Sequence, residues 1–117
     1  MINKIADSAA QALAHLKDGA TVMIGGFGTA GIPDALIDAL IDQGARELTV
    51  VNNNAGNGEA GLAALLKANR VRKIICSFPR QADSYVFDNL YRNGQVELEL
   101  TPQGNLSERI RAAGASI

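Results

Sequence analysis

Apolar positions recur along this chain in short blocks that switch between a helical and an extended period. Ile5, Ala9, Ala12, Leu13 and Leu16 fall at helical spacing between Lys4 and Lys17, and Asp18-Gly19 closes that segment. Thr21 to Ile24 is a partly β-branched apolar run bounded by that turn and by Gly25-Gly26, which predicts a short buried strand. A helix follows from Pro33, whose fixed φ suits a first helical turn. Ala35, Leu36, Ile37, Ala39, Leu40 and Ile41 supply its apolar face, and Gly44 stops it. Glu47 to Val51 predicts a second strand, Leu62, Ala63, Leu65 and Leu66 a third helix, and Arg72 to Ser77 a third strand. Asp83 is placed to open a fourth helix carrying Tyr85, Val86, Leu90 and Tyr91, which Asn93-Gly94 ends. Val96-Glu97-Leu98-Glu99-Leu100 alternates strictly, so this last strand has one face wet or packed on polar groups. Asn105 then begins a helix running through Leu106 and Ile110 to Gly114.

A helix followed by four strand-helix units calls for an α/β fold. Its expected form is an open parallel sheet with right-handed crossovers and helices on both faces, wound in the doubly wound manner. No similar segment repeats at a fixed period and no linker divides the units, so residues 1–117 are expected to be one domain at most.

Composition removes several classes of function. A net charge of −1 with no basic cluster gives no electrostatic reason to bind nucleic acid or a membrane. No apolar run approaches a membrane span, and Met1-Ile2-Asn3-Lys4 lacks the basic-then-apolar plan of a secretion signal. One cysteine, Cys76, allows no internal disulfide, so the cytoplasm is the expected compartment. Cys76 lies in an apolar run and reads as a small buried side chain. His15 has no Cys, Asp or Ser beside it, so no metal site is expected.

Candidate chemistry collects after the strands, where open parallel sheets bind ligands. The first exit is Gly25-Gly26-Phe27-Gly28-Thr29-Ala30-Gly31 and the second is Asn52-Asn53-Asn54-Ala55-Gly56-Asn57-Gly58. Ser77-Phe78-Pro79-Arg80-Gln81 forms the third and Thr101-Pro102-Gln103-Gly104 the fourth. A glycine loop ahead of a helix can lay backbone N–H groups against an anion, an oxyanion or a polar linker, or it can simply turn the chain. Gly26-x-Gly28-x-x-Gly31 also satisfies the dinucleotide fingerprint, but the second strand ends in asparagines where that fingerprint needs an acid for the ribose. Asn53, Asn54 and Gln103 can hold a carboxylate or thioester oxygen without adding charge, or can cap their own loops. Arg80 is a candidate partner for a second carboxylate, unless it is solvated or paired with a neighbour such as Asp83. No nucleophile with a persuasive setting is present; Glu59 and Glu108 fall in first helical turns, where acids usually cap.

Asp18 to Pro33 (DGATVMIGGFGTAGIP) resembles the signature segment of the α subunit of family I coenzyme A transferases, those that act on 3-oxo acids. Asn53 to Gly56, Gly61-Leu62 with Leu65-Leu66, and Val96 to Gly114 follow in that family's order and spacing, so the resemblance covers essentially the whole chain. Ser77 to Gly94 is more similar to the branch acting on 3-oxoadipate than to the acetoacetate branch. The resemblance implies a truncated version of the fold, because the family's α chain continues beyond Ala115-Ser116-Ile117; residues 1–117 are then its amino-terminal part. It also implies that coenzyme A is a substrate, with no permanently bound cofactor. Gly25, Gly26, Phe27, Gly28, Thr29, Ala30 and Gly31 become the coenzyme A segment, and Asn53, Asn54 and Gln103 the groups orienting acid and acyl oxygens. The nucleophilic glutamate is expected on a β-subunit partner, so this chain carries no catalytic nucleophile, and a hetero-oligomer or a self-associating chain is expected. A non-catalytic binding module of the same fold, or a dinucleotide-binding domain, are the alternative readings.

Overall fold

Parallel pairing in register sorts the strand side chains into rows. The computed structural model describes residues 1–117 and contains four strands, β1 (Thr21–Met23), β2 (Leu48–Val51), β3 (Val71–Cys76) and β4 (Glu97–Leu100), in spatial order β1-β2-β3-β4. Val22, Val50, Ile74 and Leu98 form one row across the sheet. This face carries the core: Leu48, Val50, Ile74 and Cys76 are fully buried against Ile37, Leu40, Leu62, Leu65, Leu66 and Phe87. Those partners come from α2 (Asp34–Gln43), α3 (Leu62–Lys67) and α4 (Tyr85–Arg92). Sequential strands joined by right-handed crossovers put every connecting helix on one face, which is what the core residues show.

The second face is polar toward β4 and apolar toward β1. Met23, Val51, Ile75 and Glu99 make one of its rows, and Thr21, Thr49, Lys73 and Glu97 the next. The strict alternation of β4 therefore has a physical partner set, since Glu99 meets Lys73 at 2.8 Å and Arg109 at 2.6 Å. Those two cations hold the Glu99 carboxyl below the usual carboxylate range, the Lys73 hydrogen bond contributing most and the Arg109 bond next. Arg109 belongs to α5 (Gln103–Gly114), which returns over this face with Leu106 buried beneath it. Helices thus lie on both faces, while the strand order never reverses within the four strands.

Each strand lies within one residue of its expected bounds, and three helices start elsewhere than the sequence predicts. The first helix, α1, is only Ala9–Leu13 because Ser8 caps it, its Oγ accepting the Gln11 N–H at 3.0 Å, and Ile5 has nothing to pack on. Gln43 secures α1 to α2 by donating to the Leu13 and Leu16 carbonyls at 3.2 and 2.6 Å. α4 opens after Ser84 rather than at Asp83. α5 begins at Gln103 rather than Asn105, because Pro102 already has its φ fixed at −53° ahead of the first turn.

Candidate active site

The sheet register brings three of the four exits together. Val51 pairs with Ile75, so Asn53 lands opposite Ser77, and Asn54 bridges to Phe78. The Ser77 and Phe78 N–H groups both donate to the Asn53 carbonyl, at 3.2 and 3.0 Å, and the Thr101 N–H donates to the Cys76 carbonyl at 2.9 Å. That last bond carries the start of α5 alongside, so Gln103 closes the group. Asn53 Nδ2 donates to Gln103 Oε1 at 2.9 Å and to Ser77 Oγ at 3.3 Å, and the Ser77 hydroxyl donates to the same Gln103 oxygen. Asn53 Oδ1 is buried without a partner. Ser77 is the member that the sequence alone does not announce: a single serine after an apolar run carries no signal until the register sets it against Asn53.

The glycine loop is built as a small hairpin. Phe27 and Ala30 exchange both backbone hydrogen bonds, at 2.9 and 3.0 Å, around Gly28-Thr29 at the tip. The N–H groups of Phe27 and Ala30 are therefore spent internally, and Phe27 projects 71% exposed. Gly26 has φ +121°, and a Cβ there would meet Ile32 Cδ1 at 2.3 Å, so the turn itself demands glycine. Gly25 has neither a left-handed φ nor any atom within 4 Å of where a Cβ would stand, so nothing in this chain accounts for its missing side chain. A cleft of about 80 Å³ opens beside the loop, lined by Gly28, Thr29, Asp34, Asn57, Gly61 and other residues at the starts of α2 and α3.

Asn54 does not present its amide to this edge. It is fully buried, donating to the Gly28 carbonyl at 3.5 Å while its Oδ1 accepts the Gly56 N–H at 2.9 Å. Its neighbour Asn52 ties β2 to β1 in the same way, Nδ2 donating to the Ile24 carbonyl at 2.5 Å and Oδ1 accepting the Asn54 N–H at 2.9 Å. Both asparagines hold the glycine loop against the second exit, so Asn54 reaches any ligand only through the loop it positions.

Arg80 is not brought to the group. Its exposed guanidinium sits on the side of α4, Nε 3.3 Å from Asp88 Oδ1, with Arg92 on the other oxygen at 3.0 Å. The expected neighbour Asp83 instead accepts from Asn57 at 2.6 Å. Charge is therefore absent among Asn53, Ser77 and Gln103 themselves. Cys76, one residue before Ser77, faces the core, and burial pushes its thiol up to about 11. That keeps it a neutral packing group. No cluster of acids, histidines or cysteines suits a metal ion, and no helix is long and apolar enough to cross a membrane.

The chain is similar to known coenzyme A transferases. The family model described as coenzyme A transferase matches residues 6–117. The chain is 66% identical over its whole length to one of the subunits of 3-oxoadipate CoA-transferase from Pseudomonas putida, of which it covers 51%. It is 50% identical over 102 residues to human mitochondrial succinyl-CoA:3-ketoacid coenzyme A transferase 2, covering 87% of this chain and 19% of that one. Among solved structures, the acyl-CoA transferase YdiF apoenzyme from Escherichia coli O157:H7 superposes with a TM-score of 0.74 at 25% identity, over 93% of this chain and 22% of that one. A variant of the decarboxylase AibA/AibB superposes with the same score at 26% identity, over 94% of this chain and 43% of that one. The chain spans about half the length of the 3-oxoadipate CoA-transferase subunits it matches.

Proposed function

Because this chain belongs to the coenzyme A transferase family, we propose that it works as part of a transferase α subunit, moving coenzyme A between succinyl-CoA and a 3-oxo acid such as 3-oxoadipate. The observation that carries the proposal is the junction of Asn53, Ser77 and Gln103 at the strand ends, beside a glycine loop whose Gly25 leaves room for a ligand. Uncharged donors there suit the carboxylate and thioester oxygens that such a reaction must hold. Their hold also strengthens as negative charge develops on an acyl oxygen.

The chemistry needs a carboxylate nucleophile, and none of this chain's carboxylates stands in the junction. The resemblance to family I coenzyme A transferases supplies the rest of the reading: the nucleophile is a glutamate of a partner β subunit. Its oxygen attacks the acyl carbon of the thioester and expels the coenzyme A thiolate, leaving an acyl-glutamyl anhydride. The thiolate then attacks the glutamyl carbonyl and releases the first acid, which stores coenzyme A as a glutamyl thioester. The second acid runs the steps in reverse, giving ping-pong kinetics. Within this scheme the Gly25 to Gly31 loop lies against coenzyme A, Gln103 and Asn53 orient the acid and acyl oxygens, and Asn54 fixes the loop. Coenzyme A comes and goes as a substrate, and the cytoplasm supplies both acyl-CoA and the reducing conditions that suit a lone cysteine.

Two other readings on this fold predict different results. A dinucleotide-binding domain would lay its fourth strand beside β1, in the order 3-2-1-4, whereas here β4 pairs with β3. A neighbour named as a decarboxylase shows that closely similar folds host other chemistry. The test is to assay the chain alone, and then mixed with a β subunit, for transfer of coenzyme A from succinyl-CoA to 3-oxoadipate. The expected outcome is no turnover alone and turnover in the mixture. Turnover by the chain alone would overturn the split site, and decarboxylation without transfer would overturn the reaction.

A further inference from the structure

We propose that Ser77 is a positioning residue that fixes the polarity of the Gln103 amide, so that Gln103 offers only N–H donors to the open side of the site. Gln103 Oε1 accepts from two groups at once, Asn53 Nδ2 at 2.9 Å and the Ser77 hydroxyl. With its oxygen engaged inward, the exposed Gln103 side chain is left with Nε2, which has no partner within the chain. An amide carries both polarities at one end, and its neighbours decide which one faces out. The ligand this selects is an ionised carboxylate oxygen, or an acyl oxygen gaining negative charge; a donor-bearing group at the same place is rejected.

The opposite arrangement costs more. Turning both amides over would let Gln103 Nε2 donate to Asn53 Oδ1, and Gln103 would then show its oxygen to the ligand. The same turn would carry Asn53 Nδ2, with two protons, into the buried position where Oδ1 now stands unpartnered. Buried N–H groups without acceptors are rarer and costlier than a carbonyl short of one donor. Ser77 adds to the bias: its hydroxyl accepts from Asn53 Nδ2 at 3.3 Å, and its one proton has two acceptors in reach, the Asn53 carbonyl at 3.2 Å and Gln103 Oε1. The Asn53 carbonyl already accepts the Ser77 and Phe78 N–H groups, which leaves the proton for Gln103 and links the two amides into one directed chain. The backbone holds Ser77 in place, since its N–H donates to the Asn53 carbonyl at 3.2 Å.

The inference rests on the transferase reading only for the identity of the acid, so the test has one arm that needs no turnover. In the 117-residue chain, side-chain amide proton exchange by NMR is expected to show Asn53 protected and Gln103 exchanging freely. Ser77→Ala is expected to lower the Asn53 protection, Ser77→Thr to keep it, and Gln103→Glu, which retains the inward oxygen, to keep it as well. A protected Gln103 amide with a free Asn53 amide would overturn the proposal, as would protection indifferent to Ser77→Ala. In the assembled enzyme, Ser77→Ala is expected to raise KM for the acid by about tenfold, the worth of one hydrogen bond, with kcat little changed and Ser77→Thr near wild type. A fall in kcat shared by both Ser77 variants, with KM for the acid unmoved, would overturn it too. The NMR pattern without transferase activity would sink the reaction and leave the positioning role standing.

Discussion

Cys76 and Ser77 are neighbours with opposite surroundings, and the pleat of β3 is the reason. One side chain enters the core while the next turns toward the strand ends, so a buried neutral thiol and a wired hydroxyl sit one peptide apart. The same attention to partners decides Arg80. Arginine's planar fork suits a carboxylate, but Asp88 already supplies one at 3.3 Å, and both groups lie on the side of α4. A dicarboxylic substrate would have to displace Asp88 to use it. In an assembled enzyme, Arg80→Ala is therefore expected to change KM for 3-oxoadipate and for a monocarboxylic 3-oxo acid alike, within about twofold. An exposed pair of this kind is worth only up to about 1 kcal/mol, so thermal stability should barely move. A rise in KM confined to the dicarboxylic acid, measured by initial rates with both acids, would return Arg80 to the acid subsite.

Within the β1 loop, two adjacent glycines separate folding from binding. Gly26 is required by the turn, with φ +121° and Ile32 in the way of any Cβ, whereas Gly25 meets no such demand. Gly26→Ala is expected to destabilise the chain by roughly 1 to 3 kcal/mol, read as an earlier midpoint in urea. Gly25→Ala is expected to leave that midpoint in place and weaken coenzyme A binding by isothermal titration in the assembled enzyme. Equal destabilisation by both, or unaltered binding in Gly25→Ala, would remove Gly25 from the coenzyme A segment. The strand-helix order and its exit loops are legible in the sequence because hydrophobic period and glycine punctuation are local properties. The extent of α1 is not, because helical spacing at Ile5 says nothing about whether a surface exists to receive it. Ser77 and the true setting of Arg80 stay hidden because both depend on pairing across the sheet or across a loop. Asn53 meets Ser77 only by register, and Asp88 meets Arg80 only by the path after β3. Asn54 is legible as a residue of the second exit, but its inward aim depends on the glycine loop folding back over it.

The whole sheet ends unevenly. Toward β4 its second face is closed by ion pairs, Arg72 to Glu97 at 3.5 Å as well as those around Glu99. Toward β1 it is apolar: Met23 is 60% exposed and Ile110 is 42% exposed, around a groove of about 190 Å³ that Val51 and Ile75 also line. β1 is besides an edge strand, with its outer hydrogen-bonding groups unpaired by any neighbour in the sheet. Exposed apolar surface beside an open edge recruits another chain, and in a solution of this polypeptide alone the chain available is a second copy. Sedimentation velocity over a wide concentration range is expected to show reversible association. Met23→Lys is expected to weaken it by roughly tenfold, since each copy would lose a large apolar side chain from the contact. Leu36→Lys changes an exposed residue of α2, on the other layer, and is expected to leave the association as it was. A monomer at every concentration would refute the idea outright. Equal weakening by the two lysines would trace the association to general surface hydrophobicity, since only a contact through the β1 side distinguishes Met23 from Leu36.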